Sequence, residues 1–235
     1  MRTLKLLFVI LFALAAPLSA QMGMPMPEMS GIWHPVVGSG SAYAMTGRNG
    51  KSEMEMAVVG TESVGGQTGH WMEMSMKDPR SGRDMYMKIL LAPTGGGNGM
   101  KAVRMVMQQA GQTPMEMDLS AGMGMARGGG RTPQGTPFDI RDKAERVGTE
   151  TITVPAGTFT TEHYRAKDGS SDAWISDKFM PLGLVKSEGK GTSMVLTRIV
   201  TDAKSHITGT PTKFDPMQMM RERMGERMNE RGRRP

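Results

Sequence analysis

The chain has 235 residues, 27 of them methionine and none cysteine, and a formal net charge of +6. The lack of cysteine excludes a disulfide scaffold, a thiol nucleophile, a thiolate metal site and an iron–sulfur cluster. Aromatic residues at 5% and charged residues at 22% exclude collagen and a disordered polyelectrolyte, and the length fits one domain with tails.

Residues 1–20 read as a secretory signal peptide. Arg2 and Lys5 give the positive start, Leu6 to Ala16 the apolar run, and Ala20 ends a small-residue cleavage site. The run is too short to span a bilayer as a mature helix. No cysteine follows it, so a lipid anchor there is not expected. The expected compartment is the periplasm, with secretion as the alternative. Residues 21–30, with Met22, Met24, Met26 and Met29, read as an extended leader.

Residues 31–210 read as one all-β, mainly antiparallel domain of ten or eleven strands in a curved sheet. Apolar residues recur at every second position between turn-forming clusters. Met54, Met56 and Val58 share one face. Met72, Met74 and Met76 follow, then Met85, Met87, Ile89 and Leu91. Val103, Met105 and Met107 come next, then Met115, Met117 and Leu119. The positions between them include Glu53, Glu55, Glu73, Ser75, Lys88, Arg104, Glu116 and Asp118. Side chains alternate across a pleated strand, so each run has one sulfur-rich face and one mostly polar face. A helix would scatter the same methionines around its circumference. Arg48-Asn49-Gly50 and Pro79-Arg80-Ser81-Gly82 supply short turns, which imply antiparallel neighbours.

Residues 120–136 are glycine-rich and read as a loop or lid joining two halves. Strand patterns resume over 149–154, 158–164, 172–176, 182–187 and 192–201, with Pro155-Ala156-Gly157 as a tight turn. Within 31–210, helical signal is confined to a single turn near Pro137–Arg146. Residues 211–235 form an Arg- and Met-rich tail. Asp215-Pro216 is a helix-start signal, and Met217, Met220, Met224 and Met228 make a narrow stripe, so the tail is either helical or disordered.

The second half carries a resemblance. Glu150 through Phe159, with Trp174-Ile175-Ser176 and Pro181 through Lys186, resembles exported bacterial proteins of unknown function. Those are grouped with the lipoprotein-carrier (LolA/LolB-like) half-barrel superfamily. The match covers roughly residues 145–210, and its motifs are a turn and a strand pair. The resemblance implies a curved half-barrel and a concave face suited to acyl chains. It implies no catalytic residues. Here the lining would be methionine rather than Leu, Ile and aromatics.

The methionine face therefore has four readings. It is plain core, with Met standing in for Leu. Or it is a deformable surface for a lipidic or hydrophobic ligand, lined by Met54, Met56, Met72, Met74, Met76, Met85, Met87, Met105, Met107, Met115 and Met117. Or it binds copper or silver, thioethers being soft ligands, with His70, Met72 and Met74 as the first candidates. Or the exposed clusters at 22–29, 123–125 and 217–228 absorb oxidants. The ligand-binding reading is preferred, with soft-metal binding next and an envelope structural role without a ligand after it.

Catalysis is not expected. His34, His70, His163 and His206 are scattered, with no paired-His metal spacing. Gly50-Lys51-Ser52 lacks the first glycine of a phosphate loop, Met45 standing there, and a strand follows it. Nucleic acid is not expected as a partner. The signal carries +2 and the tail from Arg221 to Pro235 carries +3, which leaves +1 for residues 21–220. The tail over 216–235 has two readings, simple solubilisation or weak docking on anionic lipid.

Overall fold

Every run with period-2 apolar spacing is a strand. The computed structural model describes residues 31–47, 50–77, 82–94, 99–119, 140 and 144–214. The expected signal peptide, the leader, the 120–136 loop and residues 215–235 lie outside the described residues.

The first half contributes β1 (Gly40–Gly47), β2 (Gly50–Val64), β3 (Gln67–Lys77), β4 (Asp84–Pro93), β5 (Met100–Gln109) and β6 (Met115–Asp118). The second contributes β7 (Ala144–Val154), β8 (Gly157–Ala166), β9 (Ser171–Ile175), β10 (Leu184–Gly189), β11 (Thr192–Val200) and β12 (Thr212–Lys213). All twelve form one open sheet in the order β12-β6-β5-β4-β3-β2-β1-β11-β10-β9-β8-β7. Strands β1–β6 and β7–β11 are thus each a meander of neighbouring antiparallel strands, as short links dictate, and β12 lies beside β6 at the far edge. The halves meet where β1 pairs with β11, Ser41 opposite Ile199. No helix occurs among the described residues.

One expectation needs adjustment. The strand count is twelve, because residues 212–213, expected in the tail, pair parallel to β6. Of the turn expected near Pro137–Arg146, residues 137–139 and 141–143 lie outside the described residues; the Ala144 N–H donates to the Ile140 carbonyl at 2.9 Å, and Ala144 begins β7.

The sheet curves back on itself. The Ala156 N–H, in the turn between β7 and β8, donates to the Leu196 carbonyl of β11 at 3.3 Å. In the sheet order β11 stands three places from β8 and four from β7. Strand twist accumulates in this sense, and register shifts on β1, β2, β4, β7 and β10 add local bending. The curl encloses one core cluster that includes Tyr43, Met54, Met56, Met72, Met74, Leu182, Leu184 and Leu196. Tyr43 is fully buried and its hydroxyl donates to the Leu184 carbonyl at 3.0 Å. Burial pushes its phenol up. Two glycines permit the close approaches. A Cβ on Gly40 would lie 2.5 Å from the Met56 carbonyl oxygen. Gly183 combines φ of +67° with a Cβ position 2.5 Å from the Ser176 carbonyl oxygen.

The opposite face is crossed by a strap, residues 201–211, running from the end of β11 to β12. It is tied down at β3 and β5. Glu73, 3% exposed, accepts from Ser205 Oγ at 2.5 Å, the His206 N–H at 2.7 Å and His206 Nδ1 at 3.0 Å. Gln108 accepts from the Thr208 N–H at 2.9 Å and donates to the Thr208 carbonyl at 3.0 Å. The Tyr86 ring stacks on His206 with centroids 5.1 Å apart.

Candidate functional site: the methionine grid

The eleven methionines expected on one face form a two-dimensional grid, because the strand registers align their period-2 runs. One row crosses five strands without a break: Met56 faces Met74, Met74 faces Met87, Met87 faces Met107, and Met107 faces Met115. On one side of it Met54 faces Met76, and Met76 faces Met85. On the other, Met72 faces Ile89, Ile89 faces Met105, and Met105 faces Met117. A slip of one residue in any strand would move its thioethers to the strap side.

Exposure is graded along this grid. Met56 and Met72 are 0% exposed, Met74 1% and Met54 2%, all four within the core. Met76, Met87 and Met105 are half-buried and pack against that core. Met85, Met107 and Met117 are also half-buried, and Met115 is 43% exposed. The grid is therefore solid core at Met54, Met56, Met72 and Met74 and opens toward β5 and β6. Val103 departs from its expected face. A register shift between Leu90 and Leu91 places it in a separate small cluster with Leu90 and Ala92.

His70 lies on the methionine side of β3, two residues from Met72. Its Nδ1 is buried and without a partner, as is Nε1 of Trp33, whose ring meets it edge-on at 6.4 Å. Burial lowers the His70 pKa, favouring the neutral ring. The thioethers of the expected His70, Met72 and Met74 set belong to the closed part of the grid.

The other polar assemblies are on the remaining surface. Glu150, His163, Asp172 and Trp174 come together from β7, β8 and β9. His163 faces Glu150 Oε1 through Nδ1 at 2.7 Å and Asp172 Oδ1 through Nε2 at 2.6 Å. The ring is thus held between two carboxyl groups, one at each nitrogen. Trp174 stacks on the His163 ring at 4.6 Å and donates from Nε1 to Glu150 at 2.9 Å. The hydrogen bonds from Trp174 and then His163 hold the Glu150 carboxyl below its ordinary range. At Asp172 burial works upward, and hydrogen bonds from His163 and Arg165 outweigh it, so this carboxyl is also held low. The carboxylates lie at opposite ends of the ring. Among the described residues no group of three or more His, Asp or Glu is arranged to hold a metal. Trp71 forms a second assembly, with Lys88 5.0 Å and Arg104 5.1 Å from its ring centroid and Glu62 bonded to both Trp71 and Arg104.

The His163 assembly sets a pH dependence. A carboxyl with a depressed folded pKa contributes stability above its unfolded pKa and loses it as pH falls through the folded value. The urea midpoint is therefore expected to fall on acidification below the ordinary carboxylate range, and to fall less steeply in a Glu150→Gln, Asp172→Asn double variant. Equal slopes for the two proteins would remove the assembly as a source of acid sensitivity.

The sequence did not point to either carboxylate cluster. Strand alternation places Glu73 opposite its methionine neighbours but puts Glu150 on the side of Ile152 and Val154, and only the strap and the register supply their partners.

No family model matches the chain, and no curated protein matches it. Among solved structures, a candidate lipoprotein from Parabacteroides distasonis is 14% identical, with 73% of this chain and 99% of that chain covered at a TM-score of 0.33. A candidate exported protein with a YmcC-like fold from Bacteroides fragilis is 15% identical, with 72% and 99% covered at a TM-score of 0.31.

Proposed function

We propose that this is an exported, non-enzymatic binding protein that holds a lipidic or hydrophobic ligand on the open half of the methionine grid. The surface is formed by Met85, Met87, Met105, Met107, Met115 and Met117. The observation that carries the reading is the exposure gradient along one row, from 0% at Met56 to 43% at Met115. Unbranched thioethers are polarisable and adapt to ligands of varied shape. The export reading rests on Arg2, Lys5, the apolar run and Ala20. Residues 145–210 resemble exported proteins of unknown function that are grouped with the lipoprotein-carrier superfamily, and that grouping suggests the ligand class.

The test has two parts. Protein purified from its native host is extracted and analysed by mass spectrometry, and a fluorescent fatty acid is titrated into the delipidated chain. Co-purified lipid and saturable binding are expected, with affinity at least tenfold weaker in Met107→Glu and unchanged in Lys51→Glu, on the exposed far end of β2. No lipid in the extract together with no titratable binding would leave a structural role in the envelope.

A further inference from the structure

We propose that four thioethers at the β5–β6 corner, Met105, Met107, Met115 and Met117, form a binding site for a soft monovalent cation, Cu(I) or Ag(I).

The corner is a square set by register. Met105 faces Met117 and Met107 faces Met115 across the two strands. Directly opposed residues of an antiparallel pair have Cβ atoms about 4.5–5.5 Å apart. Residues two apart along a strand are separated by about 7 Å on the same face. A methionine side chain has three rotatable bonds, so four such chains on one square can turn their sulfurs inward onto one ion.

The donor set selects the ion. Arg104, Glu116 and Asp118 alternate with these methionines and point to the other face, where Arg104 lies 3.7 Å from Glu116. The strand positions that bear the thioethers carry no carboxylate, and the next residues in register are Gln109 opposite Met85 and Thr212 opposite Met115. Uncharged sulfur is a poor ligand for calcium or magnesium, which take oxygen, and a good one for Cu(I). Access also distinguishes this corner. Met115 is 43% exposed, whereas Met72 and Met74 on the same grid are closed off. The site therefore differs from the His70, Met72 and Met74 set that spacing alone favours. An ion needs only the corner, while a hydrophobic chain needs the length of the open face.

Silver nitrate is the probe, since Ag(I) is redox-inert under these conditions and diamagnetic. The full mature chain is labelled with 13C at the methionine methyls and titrated in nitrate buffer. The methyl signals of Met105, Met107, Met115 and Met117 are expected to shift together and to saturate at one equivalent for this set. Changing all four to leucine conserves volume and keeps the fold. That variant is expected to lose at least 100-fold in Ag(I) affinity at this site by calorimetry, while a Met72→Leu, Met74→Leu variant keeps wild-type affinity. Unmoved signals from the four methyls at stoichiometric silver would overturn the proposal. So would a quadruple variant that is folded, by its methyl spectrum, and binds as tightly as wild type. The fatty-acid titration contains no metal, so either reading can fail while the other stands.

Discussion

Met74→Ala is expected to cost the fold about 2–5 kcal/mol, the range for removing a buried Met, Leu or Ile side chain. Met115→Ala, in the same row, is expected to stay within about 0.5 kcal/mol, as exposed substitutions do. Both are methionines on one sheet face, opposite methionine partners. The difference is solvent: Met74 is 1% exposed and lies between Met56 and Met87, while Met115 is 43% exposed. Truncating Met74 removes apolar contacts and leaves a void that a rigid sheet closes only in part. Truncating Met115 leaves space that water fills. Substituting Met56, Met74, Met87, Met107 and Met115 in turn by alanine and measuring urea unfolding gives five points along one row. Costs that decline toward β6 are expected. A flat profile would mean that the grid is closed throughout, and would remove the basis for a ligand surface.

Glu73→Ala is expected to detach the strap from the sheet. Glu73 is a nearly buried carboxylate with three hydrogen bonds from Ser205 and His206. One hydrogen bond to a charged group is worth about 1.5–3 kcal/mol, and the group left behind here includes a backbone N–H. The variant should therefore lose at least that much stability, and the amide protons of His206 and Thr208 should exchange faster. Glu73→Gln keeps an acceptor oxygen and should fall between. Unchanged exchange in Glu73→Ala would show that Gln108 and the Tyr86–His206 stack hold the strap by themselves. The strap also delivers β12 to the edge of β6, so its loss would leave β6 with one unpaired side.

These outcomes follow from features of unequal legibility in the sequence. The strands of the first half were readable because methionine, like any apolar residue, marks a buried face when it recurs every second position. The same periodicity correctly put Glu73 and Glu116 on the opposite side from their methionine neighbours. It misplaced Val103, because a register shift between Leu90 and Leu91 changes the face locally, and no composition signal marks that shift. It also missed the assembly around His163. Glu150, His163 and Asp172 are on separate strands, and only pairing brings them within hydrogen-bond reach.

The sequence by itself determined the all-β class, the antiparallel links and the division of residues between two faces. Those are local properties: a pleat alternates every second residue and a short turn reverses direction, whatever lies elsewhere in the chain. Only the tertiary structure decided which methionines meet and which see water. Cross-strand register aligned five of them from Met56 to Met115, and the curl of the sheet closed one end of that row while leaving the other open. The strap is likewise a tertiary decision. Glu73 is buried because a segment more than a hundred residues further along the chain crosses over it, a contact that no local pattern encodes.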